Sequence, residues 1–132
     1  MQKATEIGID RIVVFMADHS VVRWDAPVAE RKLRRLDRVA REAAMQSRRC
    51  WLPIVEAPGT FEDLAARSDA AIADRFADPV TDAVATVLIG PEGGWSDAER
   101  SAAGARVGLG PNVLRAETAA VAACALLAFW RR

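Results

Sequence analysis

The chain has 132 residues, 52% of them hydrophobic, and a formal net charge of zero. That length suits a single domain with a core of its own, and the composition excludes disorder. The neutral balance excludes a global field for nucleic acid, and the polar, charged start MQKATEIG is not the pattern of a secretory signal.

In chain order, Gln2 to Ile7 reads as a helix stopped by Gly8. Arg11 to Met16 (RIVVFM) reads as a buried strand and Ser20 to Trp24 as a second short extended stretch. Pro27 and its polar neighbours read as a turn. Glu30 to Ser47 is the clearest helix: Leu33, Leu36, Ala40, Ala43, Ala44 and Ser47 fall on one side. Arg31, Arg34, Arg35, Arg38 and Arg41 fall on the other, as a stripe that either solubilises the helix or extends an RNA surface. Trp51 to Val55 reads as a strand closed by a Pro58-Gly59 turn. Thr60 then starts a helix with Asp63 placed for a capping box.

Ala70 to Ala73 carries a weak strand signal, and Ala83 to Ile89 reads as a buried strand. Ser96 caps a helix to about Ala103 with Glu99 at the box position. Arg106 to Leu109 is a short strand and Glu117 to Trp130 the last helix. Strands alternating with helices predict an α/β domain with a mostly parallel sheet, and no linker or repeat divides residues 1–132. The longest apolar run, Ala119 to Trp130, is 12 residues, too short to span a bilayer. It reads as a helix buried in the core or against another subunit. Cys50 and Cys124 lack metal-ligand spacing and read as buried, reduced thiols of a cytosolic protein, and no metal is expected.

Two glycine turns carry the chemistry. VLIGPEGGW (87–95) and VGLGPNVLRAET (107–118) each follow a short apolar run and precede a helix. In parallel α/β sheets such turns sit at the carboxyl ends of strands, where ligands bind. Gly90-Pro91-Glu92-Gly93-Gly94 lacks the Lys-Ser/Thr ending of a phosphate loop and is not a dinucleotide turn. Glu92 would repel a pyrophosphate, so a cationic or zwitterionic ligand suits it better. Leu109, Val113 and Leu114 beside Arg115, Glu117 and Thr118 have the mixture of apolar walls and few polar groups that a small-molecule pocket needs.

QKATEIG, HSVVRWD, REAAMQSRRCWLP, LIGPEGGWSDAE and LGPNVLRAETAA occur in this order and cover most of Gln2 to Ala120. In these motifs the chain resembles the RsmE family, SPOUT-class methyltransferases that modify N3 of a uridine in small-subunit (16S) ribosomal RNA. The resemblance implies a C-terminal trefoil knot, a cytoplasmic homodimer and S-adenosyl-L-methionine as cofactor. By the same resemblance the loops Ile89 to Gly94 and Leu109 to Ala119 would surround the cofactor, with Gly90, Gly93, Gly94 and Gly110 contributing backbone. Leu109, Val113 and Leu114 would meet the adenine, Glu117 and Thr118 would fix the polar edge and start the last helix, and Ala119 would close the cofactor loop.

Removal of the N3 proton needs a base, or a cation for the uridine anion. Arg115 is the candidate cation, with a structural salt bridge to Glu92 or Glu117 as the competing role. Glu92 is the candidate base or a structural group. Gln46, Arg48 and Arg49, with Lys3 and His19, are the candidate RNA-binding residues. The family usually has arginine where His19 stands, so His19 is assigned a solvent- or RNA-facing role rather than catalysis. Family members usually begin with a PUA-like domain and a further first strand. Neither is recognised here, so the expectation is a domain that binds the cofactor but methylates RNA poorly by itself. The glycine turns and arginine stripe alone leave open a non-catalytic RNA-binding or assembly module, an unrelated α/β nucleotide enzyme, and a fragment without turnover.

Overall fold

The computed structural model describes residues 1–21 and 24–131, with backbone alone at 57 and 58. Helix α1 (Gln2–Ile7) ends where Gly8, at φ 111°, turns its N–H back to the carbonyls of Ala4 and Thr5. Strand β1 (Arg11–Phe15) follows, then α2 (Ala26–Gln46), β2 (Ile54–Gly59) and the short α3 (Phe61–Ala65). Next come β3 (Ala70–Ala73), β4 (Thr86–Leu88), α4 (Asp97–Ala102), β5 (Arg106–Val107) and α5 (Ala116–Trp130).

Every strand pairing among the described residues is parallel. β1 pairs with β2, and a separate ladder runs in the order β4-β3-β5. β3 lies in the middle of its ladder, and Ala70, Ala71 and Ile72 are all buried. Successive side chains of a strand point to opposite faces. Ala70 and Ile72 accordingly join a core with Ala17, Phe61, Leu88 and Trp95. Ala71 joins a second core with Val80 and Val107, against which Leu109, Leu126 and Leu127 pack. The first core ties the two ladders together: Phe15 at the end of β1 stacks on Trp95 at 6.2 Å, and Trp95 meets Phe61 at 5.4 Å.

Local signals placed most elements, and the departures have physical causes. Pro27, read as a turn, lies in the first turn of α2, where proline's missing N–H costs nothing. Asp25 caps that turn by accepting from the Val28 N–H at 2.9 Å. The strand read at Trp51 to Val55 begins at Ile54 and runs through Pro58-Gly59, because its partner is β1 from Arg11 onward. Trp51 stays exposed and donates its indole N–H to Asp10. Thr60 caps α3 by accepting from Asp63 N–H at 3.1 Å. The strand read from Ala83 shrinks to Thr86–Leu88 and that read to Leu109 shrinks to Arg106–Val107. The extended stretch read at Ser20 to Trp24 includes residues 22 and 23, which lie outside the described residues. Cys50 is exposed and Cys124 half-buried, so the expected pair of buried thiols is corrected at Cys50. No helix among the described residues is long and apolar enough to cross a membrane.

Candidate functional site

β4 and β5 flank β3 in parallel, so the turns after them leave the same carboxyl end of the ladder, one on either side of β3. In the first turn Gly94 donates to the Pro91 carbonyl at 2.9 Å and takes φ 73°, a left-handed conformation in which a side chain would be strained. A Cβ on Gly90 would lie 3.0 Å from the Trp95 ring, and one on Gly93 would lie 3.0 Å from His19 Cβ. Trp95 itself is pinned by its indole N–H to the Ala73 carbonyl, 2.8 Å away. His19 is exposed and its Nδ1 lies 3.2 Å from the Gly93 carbonyl and 3.1 Å from that of Gly94. The lone histidine therefore braces the glycine turn while still facing solvent. Glu92 is exposed and Ile89 half-buried.

Glu99 holds this turn to the loop after β1. Its buried carboxylate accepts from Ser96 N–H at 2.8 Å, completing the capping box of α4, and from Asp18 N–H at 3.0 Å. Ser96 Oγ donates in turn to Asp18 at 2.5 Å. Beside this junction a cleft of about 230 Å³ lies between Val14, Met16 and Trp24 on one side and Pro91 and Glu92 on the other.

The second turn is pressed against the segment after β3. Gly108 donates to the Asp78 carbonyl at 2.7 Å, and a Cβ there would sit 2.3 Å from the Ala77 carbonyl oxygen. Only glycine lets two backbones approach this closely. Leu109 packs on the second core. Gly110 takes φ 138°, and a Cβ on Gly94 or Gly110 would meet nothing within 4 Å. Val113 is 71% exposed and Leu114 half-buried. Arg115 is the N-cap residue of α5 and is exposed. It takes part in no ion pair among the described residues, so the salt bridge to Glu92 or Glu117 does not form. Glu117 and Thr118 are exposed and Ala119 half-buried. Glu117 lines a groove of about 260 Å³ between α1 and α5, together with Lys3, Ala120, Val121 and Cys124.

The candidate RNA residues divide. Gln46 and Arg48 are exposed, with Arg48 at φ 55°, the left-handed position that closes α2. Arg49 is committed elsewhere: its guanidinium donates to the carbonyls of Thr5 and Ile9 at 3.0 and 2.9 Å and pairs with Asp10. Lys3 lies 2.8 Å from Glu6, and that hydrogen bond holds the Glu6 carboxyl below its usual range. All of Arg31, Arg34, Arg35, Arg38 and Arg41 are exposed, as the spacing predicts, and Arg34 and Arg41 pair with Glu30 and Asp37.

Sequence reasoning passed over the loop between β3 and β4. Asp74, its side chain 9% exposed, pairs with Arg100 at 2.9 Å and approaches Arg106 at 3.8 Å. The signal was present: Asp74 follows a strand end, the same position that singled out the two glycine turns, but the alanine-rich strand before it was too weak to anchor the reading. Among the described residues no group of three or more His, Cys, Asp or Glu is arranged to hold a metal ion.

Comparison with known proteins places this geometry. A model of the RNA methyltransferase domain family matches residues 1–128. Ribosomal RNA small subunit methyltransferase E of Bacillus subtilis is 31% identical, with 98% of this chain and 59% of that protein covered. The protein of the same name from Mycobacterium tuberculosis is 34% identical over 93% of this chain and 54% of its own length. The chain thus spans little more than half the length of these relatives. Ribosomal RNA small subunit methyltransferase E from Neisseria gonorrhoeae, solved bound to S-adenosyl methionine, superposes with TM-score 0.81 at 28% identity, covering 94% of this chain and 56% of that one. A Legionella pneumophila protein solved with the bound cofactor SAM superposes with TM-score 0.86 at 27% identity, covering 96% and 57%.

Proposed function

The chain belongs to the RNA methyltransferase domain family, and on that premise we propose that it is the cofactor-binding domain of a cytoplasmic enzyme that methylates N3 of a uridine in small-subunit ribosomal RNA. The observation that carries this reading is the pair of glycine turns leaving the carboxyl end of one parallel ladder on either side of β3. The relatives' names and the cofactor bound in their solved structures support it.

The open space beside the two turns supports S-adenosylmethionine as the ligand. Gly94 and Gly110 face open space where a side chain would stand, and Val113 is an apolar group that the core does not use. When bound, the cofactor supplies an electrophilic methyl group on a sulfonium. Ile89, Gly90, Gly93 and Gly94 would hold it through backbone groups, with Leu109, Gly110, Val113 and Leu114 around the adenine, Glu117 and Thr118 at the polar edge and Ala119 at the end of the loop. Methylation of N3 replaces its proton, so the chain must hold the proton or the charge left behind. Arg115, always charged, exposed and in no ion pair among the described residues, would stabilise the uridine anion. Glu92, exposed beside the cleft, would accept the proton.

Three finer features belong to the same proposal. The close approach of Gly108 to Ala77, with α5 packed beneath on Val80, supports a C-terminal knot. The exposure of Val121, Phe129 and Trp130 on α5 supports burial of that helix against a second copy. Exposed Gln46, Arg48, His19 and Lys3 would contact RNA, whereas Arg49 would act through the fold. Calorimetry with S-adenosylmethionine beside a methyl-transfer assay on small-subunit ribosomal RNA tests the reading. Saturable heat is expected, and Arg115→Ala should lower turnover about 10²–10³-fold while leaving cofactor affinity within a few-fold. Absence of cofactor binding would end the proposal.

A further inference from the structure

Residues 74–79, the first part of the loop between β3 and β4, are held at both ends and push one aromatic side chain into solvent. At its start, Asp74 N–H donates to the Val107 carbonyl at 2.9 Å, and the Asp74 carboxylate is paired with Arg100 and Arg106. At its end, the Asp78 carbonyl takes the Gly108 N–H, and Pro79 bridges to Gly108. Between the clamps Phe76 is 87% exposed and sits at φ 67°. A bulky residue in the left-handed region is costly, and such strain persists only where the surroundings impose it. The Arg75 guanidinium lies over the Phe76 ring, 4.5 Å from its centroid.

We infer that Phe76, backed by Arg75, is a stacking platform for an unpaired base of the RNA substrate. This rests on the reading under Proposed function. Uridine N3 lies on the pairing edge of the base, so a base methylated there must be out of its pair. The protein must then replace the stacking that the strand loses, and aromatic faces do so for any base. Four aromatic side chains are exposed among the described residues, Trp51, Phe76, Phe129 and Trp130, and Phe76 is the most exposed of them. Trp51 is tied to Asp10 before β1 begins, and Phe129 and Trp130 close α5, where Trp130 donates to the Val80 carbonyl. Phe76 alone of the four follows the carboxyl end of a strand, between the two glycine turns. Arg75 adds a guanidinium plane and a positive charge suited to the neighbouring phosphate.

The test compares the chain with Phe76→Ala and Phe76→Trp, using a short single-stranded oligouridylate as probe. Phe76→Ala should weaken RNA binding roughly 5- to 150-fold, the range of one lost base stack. Affinity for S-adenosylmethionine and the melting temperature should not change, and Phe76→Trp should keep RNA affinity. RNA binding by Phe76→Ala equal to the parent, or no rescue by tryptophan, would overturn the inference. So would a Phe76→Ala chain that changes oligomeric state at unchanged RNA affinity, which would make the ring a subunit contact. If the parent chain does not bind S-adenosylmethionine, the functional reading itself fails; if it binds the cofactor but not the oligouridylate, or binds both and Phe76→Ala is silent, only the platform fails.

Discussion

A single carboxylate illustrates how much of this site depends on individual groups. Glu99 is 5% exposed and receives two backbone N–H groups, from Ser96 in its own helix and from Asp18, far away in sequence. Glu99→Ala would leave both donors without their acceptor. A loss of about 1–3 kcal/mol is expected, read as a lower urea midpoint. Gly108→Ala is a different case, since its Cβ would meet a backbone oxygen at 2.3 Å. The expected cost is about 1–3 kcal/mol of overpacking, with a loss of cofactor affinity as the second turn shifts. An Ala variant as stable as the parent would mean that the two backbones can part. Half of the Glu99 arrangement was legible beforehand, because Ser96 and Glu99 form a box within one turn. The bond to Asp18 was not, since nothing local marks a partner that distant.

Among the elements, α1 and α2 are joined through a side chain that sequence reasoning assigned to RNA. Arg49 donates to the carbonyl of Thr5 in the last turn of α1 and to that of Ile9 just beyond it, where the helix no longer supplies all the donors. Arg49→Ala should cost about 1.5–3 kcal/mol of stability, the range for bonds from a charged donor. Arg48→Ala, with its exposed side chain, should instead reduce RNA affinity and its salt dependence at nearly unchanged stability. The neighbours Arg48 and Arg49 look alike in the sequence, and only the packing of α1 separates them. The pairing of β1 with β2 carries its own test. Arg11 donates to both Glu56 oxygens, at 2.9 and 2.6 Å, and this hydrogen bonding holds the Glu56 carboxyl below its ordinary value. A carboxylate with a lowered folded pKa stabilises the fold above its unfolded value, and that contribution is lost as pH falls through the folded one. Arg11→Met should therefore be less stable than the parent at neutral pH, with the difference closing below the ordinary glutamate range. Urea midpoints across pH 2–7 would measure it, and a constant gap would refute the assignment.

At the scale of the whole molecule, the two thiols report on assembly. Cys50 is exposed, whereas Cys124 is half-buried on α5 and burial pushes its thiol pKa up. A thiol reagent should label Cys50 first, and if a second copy covers α5 as proposed, Cys124 should become still slower as protein concentration rises. Labelling of Cys124 that ignores concentration would argue against that interface. The order of helices and strands, the caps at Gly8, Thr60 and Ser96, the exposed arginine face and the recurring family motifs were all determined by the sequence itself. Each depends on groups within about one helical turn of one another, or on a linear pattern of residues. Only the tertiary structure decided that Arg49 serves α1, that Asp74 is buried against Arg100, and that Gly108 lies on Ala77. Those outcomes arise where the chain meets itself across tens of residues, and burial and close approach there override what any local segment favours.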